Sequence, residues 1–144
     1  MEKNTLENKV LSSNEWGLVA LLHEGLIERF NEAKDAIEKE DFEEVSKITN
    51  KCRDILTELL VTFREKDDLS TNLRSLYLFT NKLITEGEIK KDGSYYVKAI
   101  DVIKPIYNGF KNLEMKEKPN IVTGLTYGKD DLGEFKKSEK VFEG

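Results

Sequence analysis

The stretch from Asn14 to Asp92 contains no proline and only three glycines. Proline inside a helix removes a backbone hydrogen bond and clashes with the preceding turn, and glycine weakens a helix, so this stretch permits long uninterrupted helices. Its apolar residues recur at intervals of three and four, which places them on one face of an α-helix. The sequence therefore predicts consecutive amphipathic helices.

The first two helices are predicted from capping residues and apolar spacing. The first is expected to begin at Asn14, whose side chain can cap it, and to end near Glu40, because Asp41 is a good cap for the next helix. The second is expected to run from Phe42 to about Lys66, with an apolar arc wider than one neighbouring helix needs. The apolar sets are Leu18, Val19, Leu22, Leu26, Phe30, Ala33, Ala36 and Ile37, then Val45, Ile48, Cys52, Ile55, Leu56, Leu59, Leu60 and Phe63.

A third helix is expected after Asp67 and Asp68. It is expected to end near Gly87 or in the turn at residues 90–93, where the charged and glycine-containing sequence favours a helix end. Helical spacing assigns one apolar set to its buried side: Leu69, Leu73, Leu76, Tyr77, Phe79, Leu83 and Ile84.

A fourth helix is expected from Ser94 to about Leu113. Pro105 lies inside it, so we expect a kink or a break at residues 101–104. Short connections make sequential helices antiparallel neighbours. The predicted fold is therefore all-α, an antiparallel up-down-up-down four-helix bundle. Its predicted parts are a short N-terminal arm (1–13), the bundle domain (14–114) and an irregular C-terminal tail (115–144).

The predicted tail carries one apolar, β-branched patch, from Ile121 to Gly128. Two interpretations of this patch remain open. It can fold back onto the bundle, or it can act as a linear interaction motif.

Length and charge restrict the class of function. The chain has 144 residues, about one domain, and its 23 Lys and Arg against 28 Asp and Glu give a net charge of -5. Nucleic-acid binding is disfavoured, because phosphate contacts need concentrated Lys and Arg. We also expect no membrane insertion and a location in the cytosol, because the sequence has neither a signal-peptide core nor a long apolar span.

Cysteine and histidine each occur once. A single Cys52 excludes an intramolecular disulfide, and its place at the centre of an apolar arc predicts a buried side chain. His23 is predicted on the polar side of the first helix, with no partner that would activate a nucleophile. We therefore expect no catalytic residue, no cofactor and no metal ion.

An all-helical, magnesium-dependent nucleotide pyrophosphohydrolase is a remote alternative. It would use paired carboxylates such as those of Glu40, Glu43 and Glu44, but these residues span a predicted turn and have no inward-facing partner pair. Gly17 and Gly25 lie within a predicted helix and so do not form a phosphate-binding loop.

Several apolar residues fall away from the predicted core faces. They are Ile27, Val61, Leu78 and Val97, and the wide arc of the second helix ends at Leu56 and Leu60. Surplus apolar surface of this kind suits either a groove for a partner's amphipathic helix or a contact between copies of the chain.

Several short runs keep a characteristic order and spacing along the chain: 18–30, 32–37, 51–59, 72–77, 83–84 and 89–92, and in the tail 124–129 and 132–134. Together these runs resemble those of the FliS-type flagellin export chaperones, and the tail is similar to those of clostridial members. Four positions depart from the family pattern. Glu2 and Thr5 stand near the places of arm tyrosines, Glu15 replaces a proline, and His23 replaces a tyrosine.

The resemblance implies a cytosolic chaperone that is not an enzyme and needs no cofactor. It implies binding to the disordered C-terminal segment of flagellin, which is kept from polymerising before export, with export-gate or regulatory proteins as further candidate partners. A helical adaptor for another protein is the alternative. The candidate flagellin-binding residues are Leu6, Val10, Leu21, Ile27, Leu56, Leu60, Val61, Leu78 and Val97. We also hypothesise that the arm around Leu6 and Val10 covers a groove until the client arrives.

Overall fold

A computed structural model describes residues 15–121, with side chains up to residue 116. The predicted arm, the candidate residues Leu6 and Val10, and all of the tail beyond Ile121 lie outside the described residues. Four α-helices and no strand occur in the described part, which confirms the all-α prediction. The helices are α1 (Glu15–Glu38), α2 (Phe42–Thr62), α3 (Asp68–Lys90) and α4 (Ser94–Ile121).

Aspartate caps start α2 and α3, and of these the cap at Asp41 was predicted. The Asp41 carboxylate accepts a hydrogen bond from the Glu44 backbone N–H at 3.3 Å. The Asp67 carboxylate accepts one from the Ser70 N–H at 2.7 Å, and this bond is the main cause that lowers the pKa of Asp67. Each cap satisfies a backbone donor that has no partner within the helix.

Helix α1 ends in a tight turn that reverses the chain within three residues. Glu40 adopts a left-handed conformation with φ of 57°. Its N–H donates to the Ile37 carbonyl and the Asp41 N–H donates to the Ala36 carbonyl, both at 2.9 Å. This pair of bonds is the Schellman arrangement that closes a helix C-terminus, and it makes α2 the antiparallel neighbour of α1.

Helix α4 continues past the break expected at residues 101–104 and past the end expected at about Leu113. It runs unbroken through Pro105 to Ile121, so the break expected at residues 101–104 is wrong. The Pro105 and Asp101 side chains are exposed. Because this side of the helix faces water, the Asp101 carbonyl can be hydrated in place of the bond that Pro105 removes, and the helix tolerates the proline.

Residues 22–105 form one compact unit that contains parts of all four helices. Arg53 of α2 forms an ion pair with Glu88 of α3 at 3.2 Å. At the far end of α2, the Phe63 ring packs against Tyr77, with centroids 6.3 Å apart. Residues later in α2 therefore contact residues earlier in α3, so these two helices run antiparallel.

Helices α1 and α4 are also antiparallel within this unit, because the C-terminal part of α1 contacts the beginning of α4. Gly93, which precedes α4, lies against the Lys34 side chain of α1. The Tyr96 ring, three residues later, lies 6.4 Å from the Phe30 ring. The four helices thus pack as an antiparallel four-helix bundle, which confirms the predicted fold class.

The core of this unit is built from one face of each helix. Burying a side chain the size of Leu, Ile or Phe contributes about 1.5–3 kcal/mol, so these faces supply most of the stabilising free energy. Cys52 is fully buried, as predicted. The core residues are Leu26, Phe30, Ala33, Ala36, Ile37, Val45, Ile48, Cys52, Leu56, Leu59, Phe63, Leu73, Tyr77, Leu83, Ile84, Tyr96, Ala99 and Ile103.

Tyr96 of α4 contacts each of the other three helices. Its ring packs on Phe30 of α1. Its hydroxyl lies 2.6 Å from Thr49 Oγ1 of α2 and donates to the Ile84 carbonyl of α3 at 3.3 Å. Because its single hydroxyl proton goes to the carbonyl, Thr49 is the donor in the shorter bond, and both buried hydroxyls are satisfied.

His23 is buried, and its predicted place on the polar side of α1 is wrong. Its Nε2 atom lies 2.7 Å from the Tyr77 hydroxyl of α3. His23 follows Val19 by four residues and precedes Leu26 by three, which puts it on the apolar face. The hydrogen bond to Tyr77 makes this burial tolerable, since a buried polar group without a partner costs about 1–3 kcal/mol.

Residues 15–21 and 106–121 belong to a second compact unit. Trp16 stacks on Phe110, with ring centroids 5.6 Å apart. A Cβ atom at Gly17 would lie 3.1 Å from Glu114 Oε2. The first turn of α1 therefore packs closely against the last third of α4.

The glycine in α3 gives a first prediction about stability. A Cβ at Gly87 would lie 2.8 Å from Tyr96 Cε2 and 3.0 Å from Tyr95 Cβ. Gly87→Ala should therefore lower the free energy of unfolding by about 1–3 kcal/mol, because overpacking forces the helices apart. Urea unfolding followed by circular dichroism measures this loss.

Gly25→Ala is the matched control for that variant. Its Cβ would meet Ile55 Cδ1 at 3.6 Å, an ordinary contact. The added helix propensity should raise the free energy of unfolding by about 0.5–1 kcal/mol. Equal effects of the two substitutions would contradict the close α3–α4 approach at Gly87.

Removal of the Tyr96 hydroxyl should leave Thr49 without its buried partner. Tyr96→Phe is expected to lower the free energy of unfolding by about 1–3 kcal/mol. In a double-mutant cycle with Thr49→Val, the double variant should lose less than the sum of the single losses, because both partners are then gone. Additive losses would show that this hydrogen bond does not couple the helices.

Burial also predicts how stability depends on pH. Burial raises the pKa of Cys52 to about 12, raises the pKa of Tyr96 to about 12, and raises the pKa of Tyr77 further. As pH rises, the unfolded chain therefore loses these protons at a lower pH than the folded protein does. The free energy of unfolding should be level to about pH 9 and then fall, by up to about 1.4 kcal/mol per pH unit for each group.

Urea titrations at successive pH values test this dependence. Tyr96→Phe should reduce the slope above about pH 10, because one of the buried groups is then absent. A level free energy of unfolding through pH 11 would contradict the burial of these groups.

Candidate partner-binding surface

Four of the residues predicted to bind a partner are exposed. Val61 of α2, Leu78 of α3 and Val97 of α4 belong to the 22–105 unit and are 51%, 57% and 42% exposed. Leu21 of α1 belongs to the other unit and is also exposed. These side chains add little to the core and are free for contacts with another molecule.

Three other candidates lie deeper than the sequence predicted. Leu56 is 2% exposed, because it lies one turn after Cys52 and one turn before Leu59 on the buried face of α2. A partner could reach it only if the core opened. Ile27 and Leu60 are half-buried, so the expectation that Ile27 lies opposite the core stripe is wrong.

Helix α3 exposes apolar residues that helical spacing predicts on its buried side. Leu69, Leu76 and Phe79 are 55%, 38% and 49% exposed. Ile89, which was not assigned, is the most exposed large apolar side chain in the described part. Phe79 lies to one side of the narrower line that is buried, and Leu69 lies in the first turn of α3. That line consists of Leu73, Tyr77, Thr80 and Ile84.

Polar contacts fix the rotation of α3 in the bundle. Arg53 of α2 donates to Thr85 Oγ1 at 3.0 Å and to Glu88 Oε1 at 3.2 Å. The Tyr77 hydroxyl is hydrogen-bonded to His23 of α1. These contacts hold one side of α3 against α1 and α2, so its other side remains exposed to solvent.

Arg74 fixes the start of α3 relative to the end of α2. Its Nη1 donates to the carbonyls of Phe63 at 2.5 Å and Glu65 at 2.6 Å, and its Nη2 donates to Thr71 Oγ1 at 3.3 Å. The guanidinium thus satisfies carbonyls that follow the last turn of α2. Its charge also helps to lower the pKa of the nearby Asp67 carboxyl.

The charge of α3 differs from that of the chain as a whole. From Leu69 to Thr85 the helix contains no acidic residue, and Arg74 and Lys82 are its two charged residues. Helix α1, by contrast, contains six acidic and two basic residues.

The acidic residues considered for metal binding lie near the α1–α2 turn. Glu44 lines an open cavity there, together with Glu32, Asp35 and Asp41. Glu40 and Glu43 are exposed. Among the described residues, no group of three or more His, Cys, Asp or Glu side chains is placed to hold a metal ion.

Cys52 is the free thiol of the described region. It is fully buried between helices, and burial raises its pKa to about 12. A thiol must lose its proton to act as a nucleophile, so Cys52 acts as a small core residue.

Comparisons with known proteins agree with the resemblance. Within residues 15–121, no helix combines the length and the apolar character needed to cross a lipid bilayer. No curated protein matches the chain. The family model described as "Flagellar protein FliS" matches residues 1–117, most of the 144-residue chain. The chain therefore belongs to the FliS family of flagellar export chaperones.

Proposed function

We propose that this protein is a cytosolic chaperone for flagellin. It binds the disordered C-terminal segment of flagellin, prevents premature polymerisation and supports delivery to the flagellar export apparatus. Family membership supports the flagellar role. The single structural observation that carries the proposal is the surplus of exposed apolar side chains on a bundle whose core is already complete.

The energetics fit a client that is unfolded when free. Ordering such a segment costs about 2–5 kcal/mol or more. Burial of one Leu or Phe side chain contributes about 1.5–3 kcal/mol, so a few of the exposed residues offset that cost. Val61, Leu78 and Phe79 are exposed residues of this size. The reaction is binding alone and requires neither catalysis nor a cofactor.

Two parts of the proposal concern residues outside the described part. Leu6 and Val10 remain candidate contacts, in an arm that would leave its groove when flagellin binds. Export-gate or regulatory proteins remain candidate partners of the loaded complex.

Titration calorimetry with a synthetic flagellin C-terminal segment tests the proposal. We expect a complex of about 1:1 stoichiometry with a negative heat-capacity change, the sign of apolar burial. No binding at tens of micromolar would reject the proposal. Equal affinity for an unrelated amphipathic helix would favour the alternative, a helical adaptor for another protein.

A double variant tests whether Val61 and Leu78 contribute to flagellin binding. Val61→Asp combined with Leu78→Asp should weaken flagellin binding by about tenfold or more. The free energy of unfolding should change by about 0.5 kcal/mol or less per site, because both side chains are exposed. Thr57→Asp adds a charge at an exposed polar position of α2 and is the control. A large loss of stability would show that Val61 or Leu78 is part of the core.

A further inference from the structure

His23 lies in the bundle core, at a contact between α1 and α3. Its side chain is fully buried, and its Nε2 atom lies 2.7 Å from the Tyr77 hydroxyl oxygen. The centroids of the two rings are 5.6 Å apart. Within residues 15–116, His23 is the one buried side chain whose ordinary pKa lies between pH 5 and 8. The contact between these helices therefore contains a group that can change its charge near neutral pH.

The hydrogen balance of this pair assigns its donor. Burial raises the pKa of Tyr77, so its hydroxyl keeps its proton. Among the described residues, this hydroxyl has no hydrogen-bond partner other than His23. If Nε2 were the donor, the Tyr77 proton would be buried without an acceptor, which is unfavourable. The Tyr77 hydroxyl therefore donates to Nε2, and the proton of the neutral imidazole is on Nδ1.

Protonation of His23 conflicts with this hydrogen bond. A proton taken up from water binds Nε2, the atom that accepts from Tyr77. The imidazolium has two N–H donors and no acceptor, so the Tyr77 hydroxyl could accept from it only by turning its own proton away from its one partner. The new charge would also lie in the core, where the loss of hydration disfavours it. Proton uptake is therefore favoured when the contact between α1 and α3 opens.

The charged side chains of the described part lie outside the core that holds His23. Every Asp, Glu, Lys and Arg of residues 15–116 is at least partly exposed to solvent, so a buried carboxylate that would stabilise an imidazolium does not occur there. Burial raises the pKa of Cys52 and of Tyr96 to about 12, so both are neutral near pH 7. Around the pair, the charged or titratable groups of the 22–105 unit are Glu24 on α1, Cys52, Glu58 and Arg64 on α2, Tyr77 and Arg74 on α3, and Tyr96, Asp101 and Lys104 on α4.

We infer that His23 is an acid-sensitive switch, whose protonation below about pH 6.5 releases Tyr77 and favours a state in which α1 has separated from α3. An imidazole in water takes up its proton near pH 6.5, so the opened state binds a proton that the closed state does not. The free energy of unfolding is therefore level between about pH 7 and 9 and falls as the pH decreases below about 6.5. This property belongs to the free chain and goes beyond the proposed function.

NMR spectroscopy of the full chain tests the state of the imidazole. Histidine occurs once in the sequence, so its ring signals need no assignment. The ring nitrogen shifts should show the Nδ1–H tautomer at pH 7.5, and the ring should stay neutral to about pH 5.5 while the chain is folded. Thr57→His adds an exposed imidazole on α2 as an internal reference, which should titrate near pH 6.5. An Nε2–H tautomer, or titration of His23 near pH 6.5 in the folded chain, would overturn the inference.

Urea unfolding at pH 7.5 and 5.5 measures the coupling between the proton and the fold. The equilibrium constant of unfolding should be about tenfold larger at pH 5.5, the effect of one proton taken up on opening. Hydrogen bonds from the backbone N–H groups of Ser70 and Ser94 are the main causes that lower the pKa values of Asp67 and Asp92. The stability from these two carboxylates is lost below about pH 5, outside this range.

His23→Phe removes the titrating group and keeps an aromatic ring in the core. Its equilibrium constant of unfolding should differ by about twofold or less between pH 7.5 and 5.5. An equal constant at the two pH values in the unmodified chain, or a tenfold change that persists in His23→Phe, would overturn the inference. If His23→Phe does not fold, the imidazole signals and the urea titrations of the unmodified chain decide the question.

Discussion

The packing of Tyr96 sets the geometry on which the rest of the bundle depends. Its ring meets Phe30 of α1, and its hydroxyl joins Thr49 of α2 to the Ile84 carbonyl of α3. Gly87 allows the close approach, because any larger residue would meet the Tyr96 ring. A single side chain thus fixes the distances between four helices, and its polar atom is satisfied in the core.

The same packing explains why apolar residues remain outside. Each helix turns one face inward, and Tyr77 and Arg53 hold α3 in the rotation that buries the line from Leu73 to Ile84. The neighbouring residues Leu76 and Phe79 then lie beyond the edge of the core. Exposed apolar side chains are unfavourable in water, so their burial against a partner would stabilise the complex.

Local signals in the sequence predicted much of the fold. The cap at Asp41 was predicted, because a capping side chain acts on backbone groups two or three residues away. The buried state of Cys52 followed from its central place in an apolar arc. The family resemblance came from the order of several short motifs, and the family match confirmed it.

Features that depend on tertiary contacts were missed. The sequence did not show that His23 has a buried partner, since Tyr77 is 54 residues away. The exposure of Phe79 depends on the rotation of α3, and the continuity of α4 at Pro105 depends on which side faces water. Exposure was predicted correctly where a residue lies far from the core line, as at Leu78 and Val61, whereas Leu56 is buried and Ile27 is half-buried.

The central claim is that the exposed apolar residues, and not the core, receive the client. Methyl-group NMR of the full chain, with and without a flagellin C-terminal segment, measures this directly. The account predicts intermolecular contacts and large shifts at the methyls of Val61, Leu78 and Val97, with small shifts at the core methyls of Leu26 and Leu59. Contacts confined to core methyls, or a complex that leaves Leu78 unchanged, would contradict it.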